Sequence, residues 1–338
     1  MSTFYISGMT EDEHGGIFRC QWRNNTVQMV EFTPLRRNSF LAWSRDRRTV
    51  YASMQQETDG GAAAYRVQEN GALEHLNTVF AGGRSVCYLE VSPDGKYLYS
   101  ANYASGNISE FLLDADGSIA RLNRTVSHYG SGVRTEQRSP HPHCCTFTPD
   151  GKFLCVVDLG IDRVKLYPFI PEQGLAVDGA GEIMLPPGSG PRHLVFAPDG
   201  KMAFLLCELG NKLFSFRYEN GVFTLLDKVS TLPEACHSGS AAAIRLVPDG
   251  SRFFVSNRGS DTLAAVTFDD SGKLTVTGFF PAGGASPRDF NFLPGAEIVA
   301  VANEFSGKAV FFAGKPCRGQ LGAEAAVLNL PRPLYVLV

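Results

Sequence analysis

The 338-residue sequence has no CxxC pair among its eight cysteines and no excess of either charge. Nor does it have an apolar run near the roughly 18 residues that a membrane helix needs. Each absence removes a class. Without CxxC spacing, zinc-ribbon and thioredoxin-like readings have no support. Cys87, Cys144, Cys145, Cys155 and Cys207 instead sit in apolar runs, where a reduced thiol acts as a small hydrophobe. Cys20, Cys236 and Cys317 complete the set. No disulfide, no structural metal and no cofactor are expected. With 31 Lys+Arg against 34 Asp+Glu, a net charge of −3 gives no electrostatic footprint for nucleic acid or an anionic membrane. The start, MSTFYISGMTEDEHGG, lacks the basic opening and apolar stretch of a signal peptide, so a cytoplasmic protein is expected. At 44% hydrophobic and 19% charged residues, the chain is not of the disordered class.

What is present is a repeat. A Pro-Asp-Gly turn between two apolar strands recurs as VSPDGKYLYSANY (91–103), FTPDGKFLCVVDL (147–159), FAPDGKMAFLLCE (196–208) and LVPDGSRFFVSNR (246–258). WSRDRRTVYASMQ (43–55) and FLPGAEIVAVANE (292–304) are degenerate copies. Proline pre-sets one turn dihedral and glycine takes the positive-φ position. A polar loop and an alternating third strand follow each copy, such as NISEFLLD (107–114) or KLFSFRYE (212–219). Turn signals then lead to a weaker fourth strand. Four antiparallel strands repeating at this spacing specify an all-β fold, a seven-bladed β-propeller of four-stranded blades. FYISGM (4–9) and GGIFRCQW (15–22) supply a seventh blade that lacks its innermost strand. LPRPLYVLV (330–338) is expected to supply that strand and close the ring, as one domain over residues 1–338.

Aligning the copies on the turn proline exposes a register. Six residues before it stand Ser39, Cys87, His143, Arg192, Ala242 and Arg288. Nine and ten residues after it stand Met54/Gln55, Asn102/Tyr103, Asp158/Leu159, Cys207/Glu208, Asn257/Arg258 and Asn303/Glu304. The start of the first strand and the end of the second lie at one end of a hairpin. Both sets are therefore expected at one mouth of the channel, bringing His143, Arg192, Glu208, Arg258, Arg288 and Glu304 together. Wet, polar channels are ordinary, and Asn102, Asn257 and Asn303 could equally cap blade turns. Three arginines, two glutamates and a histidine fit that reading less well, since each costs several kcal/mol if buried without a partner.

These residues resemble the seven-bladed-propeller lactonases, a family with 6-phosphogluconolactonases and muconate lactonising enzymes. The resemblance is carried by SPHPHCCTFTPDGKFLCVVDLGIDRVKLYPF (139–169), GSGPRHLVFAPDGK (188–201), CELGNKL (207–213), SNRGSDT (256–262), SPRDFNFLPG (286–295) and VANE (301–304). It implies a metal-independent active site with catalytic His143, Arg192, Glu208 and Arg258. His141, Arg288, Asn102, Asp158, Asn257 and Glu304 would bind substrate. The implied substrate is a small anionic sugar lactone, foremost 6-phosphoglucono-δ-lactone of the pentose phosphate pathway, hydrolysed by a monomer. A muconate-type lactonising enzyme and a noncatalytic propeller that binds an anion or a protein are the alternatives. Two departures, Glu136-Gln137-Arg138 before the histidines and Glu304 for the commoner glutamine, alter the charge near the mouth and bear on substrate preference.

Lactone hydrolysis needs a base for water, donors for a tetrahedral oxyanion and a grip on the substrate. Glu208 or His143 would be the base, Arg192 or Arg258 the oxyanion donor, and the remaining arginines the anion clamp. His141 follows a proline and either holds the turn or touches substrate. Asp158 either orients His143 or bonds a neighbouring blade. His193 alternates away from Arg192 and is expected in the core. His14, His75, His128 and His237 have no motif and are expected on the surface or in loops. A metal site at His141, His143 and Asp158 is weakly supported by the spacing.

Overall fold

The computed structural model describes residues 2–236, 238–295 and 297–338. Among them, strands gather into seven antiparallel sheets. The first contains Pro333–Leu337, Ser2–Gly8, Gly16–Arg23 and Thr26–Pro34, and the second Leu41–Trp43, Thr49–Gln56, Asp59–Val67 and Leu73–Phe80. The third runs Val86–Val91, Tyr97–Asn102, Asn107–Leu113 and Ile119–Ser127. Pro142–Phe147, Phe153–Asp158, Arg163–Ile170 and Gly181–Met184 form the fourth. The fifth has Pro191–Phe196, Met202–Cys207, Lys212–Glu219 and Val222–Ser230; the sixth Ser240–Leu246, Arg252–Arg258, Thr262–Phe268 and Leu274–Pro281. Pro287–Phe292, Ile298–Asn303, Lys308–Lys315 and Gln320–Asn329 make the seventh.

The expected seven four-stranded repeats are present, with one addition. In the fourth sheet the loop after the third strand folds back, laying Gly174–Leu175 beside Phe169 and Ile170. The Leu175 N–H is taken by the buried carboxylate of Glu110 at 2.9 Å. The C-terminal strand completes the first sheet as expected, with Ile6 opposite Val336 and Ser7 opposite Tyr335.

The turns work as their residues require. In the third sheet Asp94 accepts from Ser92 Oγ (2.6 Å) and Lys96 N (3.1 Å), while Ser92 Oγ accepts from Tyr97 N. Thr148 and Asp150 repeat the arrangement in the fourth. Gly95 and Gly151 sit at φ 72° and 69°, where a Cβ would be strained. Second strands are buried on both faces, as Tyr97–Asn102 and Ile298–Asn303 show, because a sheet packs on each side. Fourth strands such as Val222–Ser230 alternate between exposed and half-buried.

The residues group into two compact units, 36–192 and 1–35 with 193–338, the boundary falling between Arg192 and His193. In the first unit Tyr97, Tyr99, Phe147 and Phe169 pack between the third and fourth sheets. In the second, Phe4, Trp22 and Phe311 pack between the first and seventh.

Candidate active site

The register that aligned the repeats has a structural cause. In three sheets the residue six before the turn proline is the extra residue of a β-bulge. Val86 pairs with Asn102 and Tyr88 with Ala101, so the ladder skips Cys87. Pro142 pairs with Asp158 and Cys144 with Val157, skipping His143. Pro287 pairs with Asn303 and Asp289 with Ala302, skipping Arg288. A bulge re-aims its side chain out of the strand's alternation. Asp158 is thus opposite Pro142, not His143 as the residue count implied.

Within residues 36–192, an aromatic group organises the histidines. The Tyr103 ring stacks on His141 (4.4 Å between centroids, 14° between planes) and meets His143 edge-on at 5.7 Å. His141 Nδ1 lies 2.8 Å from the Tyr103 carbonyl. His143 is 4% exposed and Arg192 3%, whereas His141 is half-buried.

Asp158 is fully buried. Its Oδ1 accepts from His141 N (2.7 Å) and Gly160 N (2.9 Å), and its Oδ2 lies 2.7 Å from His128 Nδ1. His128 Nε2 in turn meets the Tyr167 hydroxyl at 3.0 Å. His128 therefore lies in a loop but not at the surface, and its side chain is 1% exposed. The position explains why. His128 directly follows a fourth strand, as Ala81, Thr231 and Ala282 do elsewhere. In the sixth and seventh sheets Asn257 and Asn303 donate to the carbonyls of Thr231 (2.7 Å) and Ala282 (2.9 Å), clasping each sheet to the one before. Asn102 reaches Ala81 through Ser109. At the equivalent place in the fourth sheet asparagine is replaced by Asp158, and the clasp engages an imidazole instead of a carbonyl.

Within residues 1–35 and 193–338, a charged pair and a charged trio stand at second-strand ends. Arg258 Nη2 is 2.8 Å from Glu208 Oε1, and its guanidinium also donates to the Ser240 and Ala241 carbonyls at 3.3 Å. Glu304, 4% exposed, lies 2.5 Å from Arg332 and 3.7 Å from Arg288. His193 is half-buried rather than in the core. His14 and His75 are exposed, and His237 lies outside the described residues. Among the described residues no three His, Cys, Asp or Glu side chains gather as a metal site would require.

The family described as "Lactonase, 7-bladed beta-propeller" matches residues 3–338. The chain belongs to the seven-bladed β-propeller lactonase family. Its seven sheets are the blades of that fold. Among relatives of this lactonase-family chain is the 6-phosphogluconolactonase of Bacillus subtilis, 32% identical over 303 residues, covering 88% of this chain and 86% of the relative. The structure of the Pseudomonas aeruginosa periplasmic gluconolactonase PpgL superposes with a TM-score of 0.94 at 32% identity, covering 99% of this chain and 98% of the other. A protein from Lactobacillus plantarum gives 0.91 at 32% identity over 99% and 98%.

Three participants escaped the sequence reading. Tyr103 holds the same repeat position as Glu208, Arg258 and Glu304, so the alignment itself contained the signal. Arg332 precedes the closing strand, outside every aligned copy. His128 has no motif, and only the unusual aspartate at an asparagine position hinted at a partner.

Proposed function

We propose that this chain hydrolyses a sugar δ-lactone, with 6-phosphoglucono-δ-lactone as the foremost substrate, acting as a metal-independent monomeric enzyme. The observation that carries the reading is the placement of charge. His143 and Arg288 ride on bulges, while Glu208, Arg258 and Glu304 end second strands, on otherwise apolar hairpins. Fold alone would not supply this, because a propeller core needs no such groups. The named relatives, a 6-phosphogluconolactonase and a gluconolactonase, support the same chemistry.

In this proposal Arg258 donates to the oxyanion. Glu208 and two backbone carbonyls fix its guanidinium before substrate arrives, which is the preorganisation that such a donor needs. Arg288 holds the anionic group of the substrate, for which a planar guanidinium is suited. A base from the histidine and glutamate set takes a proton from water. Asn102, Asn257 and Asp158 hold the blades together in this proposal: both amide atoms of Asn102 and both carboxylate oxygens of Asp158 are engaged inside the fold, and Asn257 Nδ2 donates to the Thr231 carbonyl. Eight free thiols agree with the reducing cytoplasm.

The test is hydrolysis of freshly prepared 6-phosphogluconolactone and gluconolactone, with the spontaneous rate subtracted. Turnover of the phosphorylated lactone is expected. Binding of an anion without turnover of any sugar lactone would replace the enzyme reading with a binding module.

A further inference from the structure

We infer that His141, through its Nε2, is the general base that activates water for lactone opening. The inference rests on the lactonase reading and names the group which that reading left open. A backbone carbonyl only accepts hydrogen bonds, so the 2.8 Å contact from His141 Nδ1 to Tyr103 O places the proton on Nδ1. In the neutral ring Nε2 then carries the lone pair. Its contact with Ser139 Oγ is long, at 3.4 Å, and lies at the exposed side. The ring is locked flat against Tyr103, and the His141 backbone is pinned by the buried Asp158 carboxylate. Tautomer, plane and backbone are all fixed before substrate arrives.

The other candidates are less suited. His143 is 4% exposed within its bulge, so water reaches it poorly. Glu208 already spends an oxygen on Arg258 at 2.8 Å. Of the two histidines in the motif, His141 is the half-buried one, and its Nδ1 contact orients the lone pair on Nε2.

The step balances without a further reagent. His141 Nε2 takes a proton from water as the water oxygen bonds to the lactone carbonyl carbon, giving a tetrahedral oxyanion and an imidazolium. The oxyanion collapses, the bond from carbonyl carbon to ring oxygen breaks, and the departing oxygen receives the proton from Nε2. The hydroxy acid leaves with histidine neutral again. The chain from Tyr167 through His128 to Asp158 supplies the anchor, so Asp158 and His128 are positioning residues.

The test compares kcat/KM against pH for the wild type, His141→Asn, His141→Ala and His128→Asn. Loss of the base should lower kcat about 100-fold or more, the scale of general base catalysis, with KM changed less than about threefold. The acid limb of the wild-type profile should vanish in both His141 variants. Added imidazole should restore part of the His141→Ala rate in proportion to its free-base form, an effect that a merely structural histidine would not show. His128→Asn should lower kcat about tenfold and keep the acid limb. If wild type is active but His141→Asn keeps more than a fifth of its kcat/KM with the acid limb intact, the proposal fails and the lactonase reading survives. Should His141→Asn not fold, absence of imidazole rescue in His141→Ala overturns it equally. If wild type does not exceed spontaneous hydrolysis, the lactonase reading itself falls.

Discussion

Glu208 and Arg258, which end the second strands of consecutive sheets, meet at 2.8 Å with their side chains largely buried. Each holds the other in place, so removing one member both deletes a group and releases its partner. Glu208→Gln and Arg258→Ala are each expected to lower kcat/KM about 100-fold, the scale of losing one oxyanion donor. The double variant should be little worse than the weaker single one. Steady-state kinetics in a double-mutant cycle checks this, and full additivity would show that the two act separately.

The asparagine clasps predict a different pattern. Asn257 is fully buried and donates to Thr231 O at 2.7 Å. Asn257→Ala leaves that carbonyl without its donor inside the protein, which should cost about 1–3 kcal/mol of stability. KM should stay within about twofold of wild type if the residue serves the fold. Denaturant unfolding alongside kinetics separates the roles; a large rise in KM at unchanged stability would return Asn257 to the substrate.

Glu90 predicts a pH dependence of stability. Glu90 is half-buried, its side chain 24% exposed, and this burial pushes its carboxyl up toward about 7 against the opposing pull of Arg45, whose guanidinium is 3.3 Å away. In the unfolded chain the group loses its proton near the ordinary carboxyl value of 4.5. Between these values the folded protein binds more protons than the unfolded one, so stability falls as pH rises and the penalty is complete above about 7. Glu90→Gln abolishes the titration. Its Tm should exceed that of wild type near pH 8, and the difference should shrink or reverse toward pH 4.5. Thermal melts across that range decide it: an offset independent of pH would contradict the assignment.

The repeat made the sheets legible, because the turn chemistry of Pro-Asp-Gly and the burial of second strands are local properties that each copy states again. The register also lines up His143, Arg192, Arg258 and Arg288 at equivalent repeat positions, from which the proposed site is drawn. What it could not show was the bulge that aims His143 and Arg288, since an extra residue in a ladder depends on the pairing partner. The Asp158–His128 contact joins positions 30 residues apart and was invisible for the same reason. Without a motif His128 was expected on the surface or in a loop, and only its packing against Tyr167 shows that the loop side chain turns inward.

The closing strand yields the last prediction. Pro333–Leu337 supplies one edge of the first sheet, and Leu334, Val336 and Leu337 are buried there. Full burial of such side chains contributes about 1.5–3 kcal/mol each. The strand also satisfies groups on the seventh sheet: Val336 N donates to Asp289 Oδ2 at 2.9 Å, and Asn291 Nδ2 donates to Val336 O at 3.0 Å. Asp289 is buried with Arg245, whose guanidinium lies over the Tyr335 ring at 5.0 Å. Deleting residues 333–338 therefore uncovers the edge of Ser2–Gly8, opens the core and removes one donor from a buried carboxylate. The shortened chain should aggregate, or melt at least about 10 °C lower, the shift expected for a loss of several kcal/mol in a protein of this size. Val336→Ala, which keeps the backbone bonds and removes two methyl groups, should melt only a few degrees lower, on the order of 1–2 kcal/mol. Calorimetry on the three proteins gives the answer. A truncated chain that stays soluble with the wild-type Tm would mean that the C-terminal strand is not what holds the first and seventh sheets together.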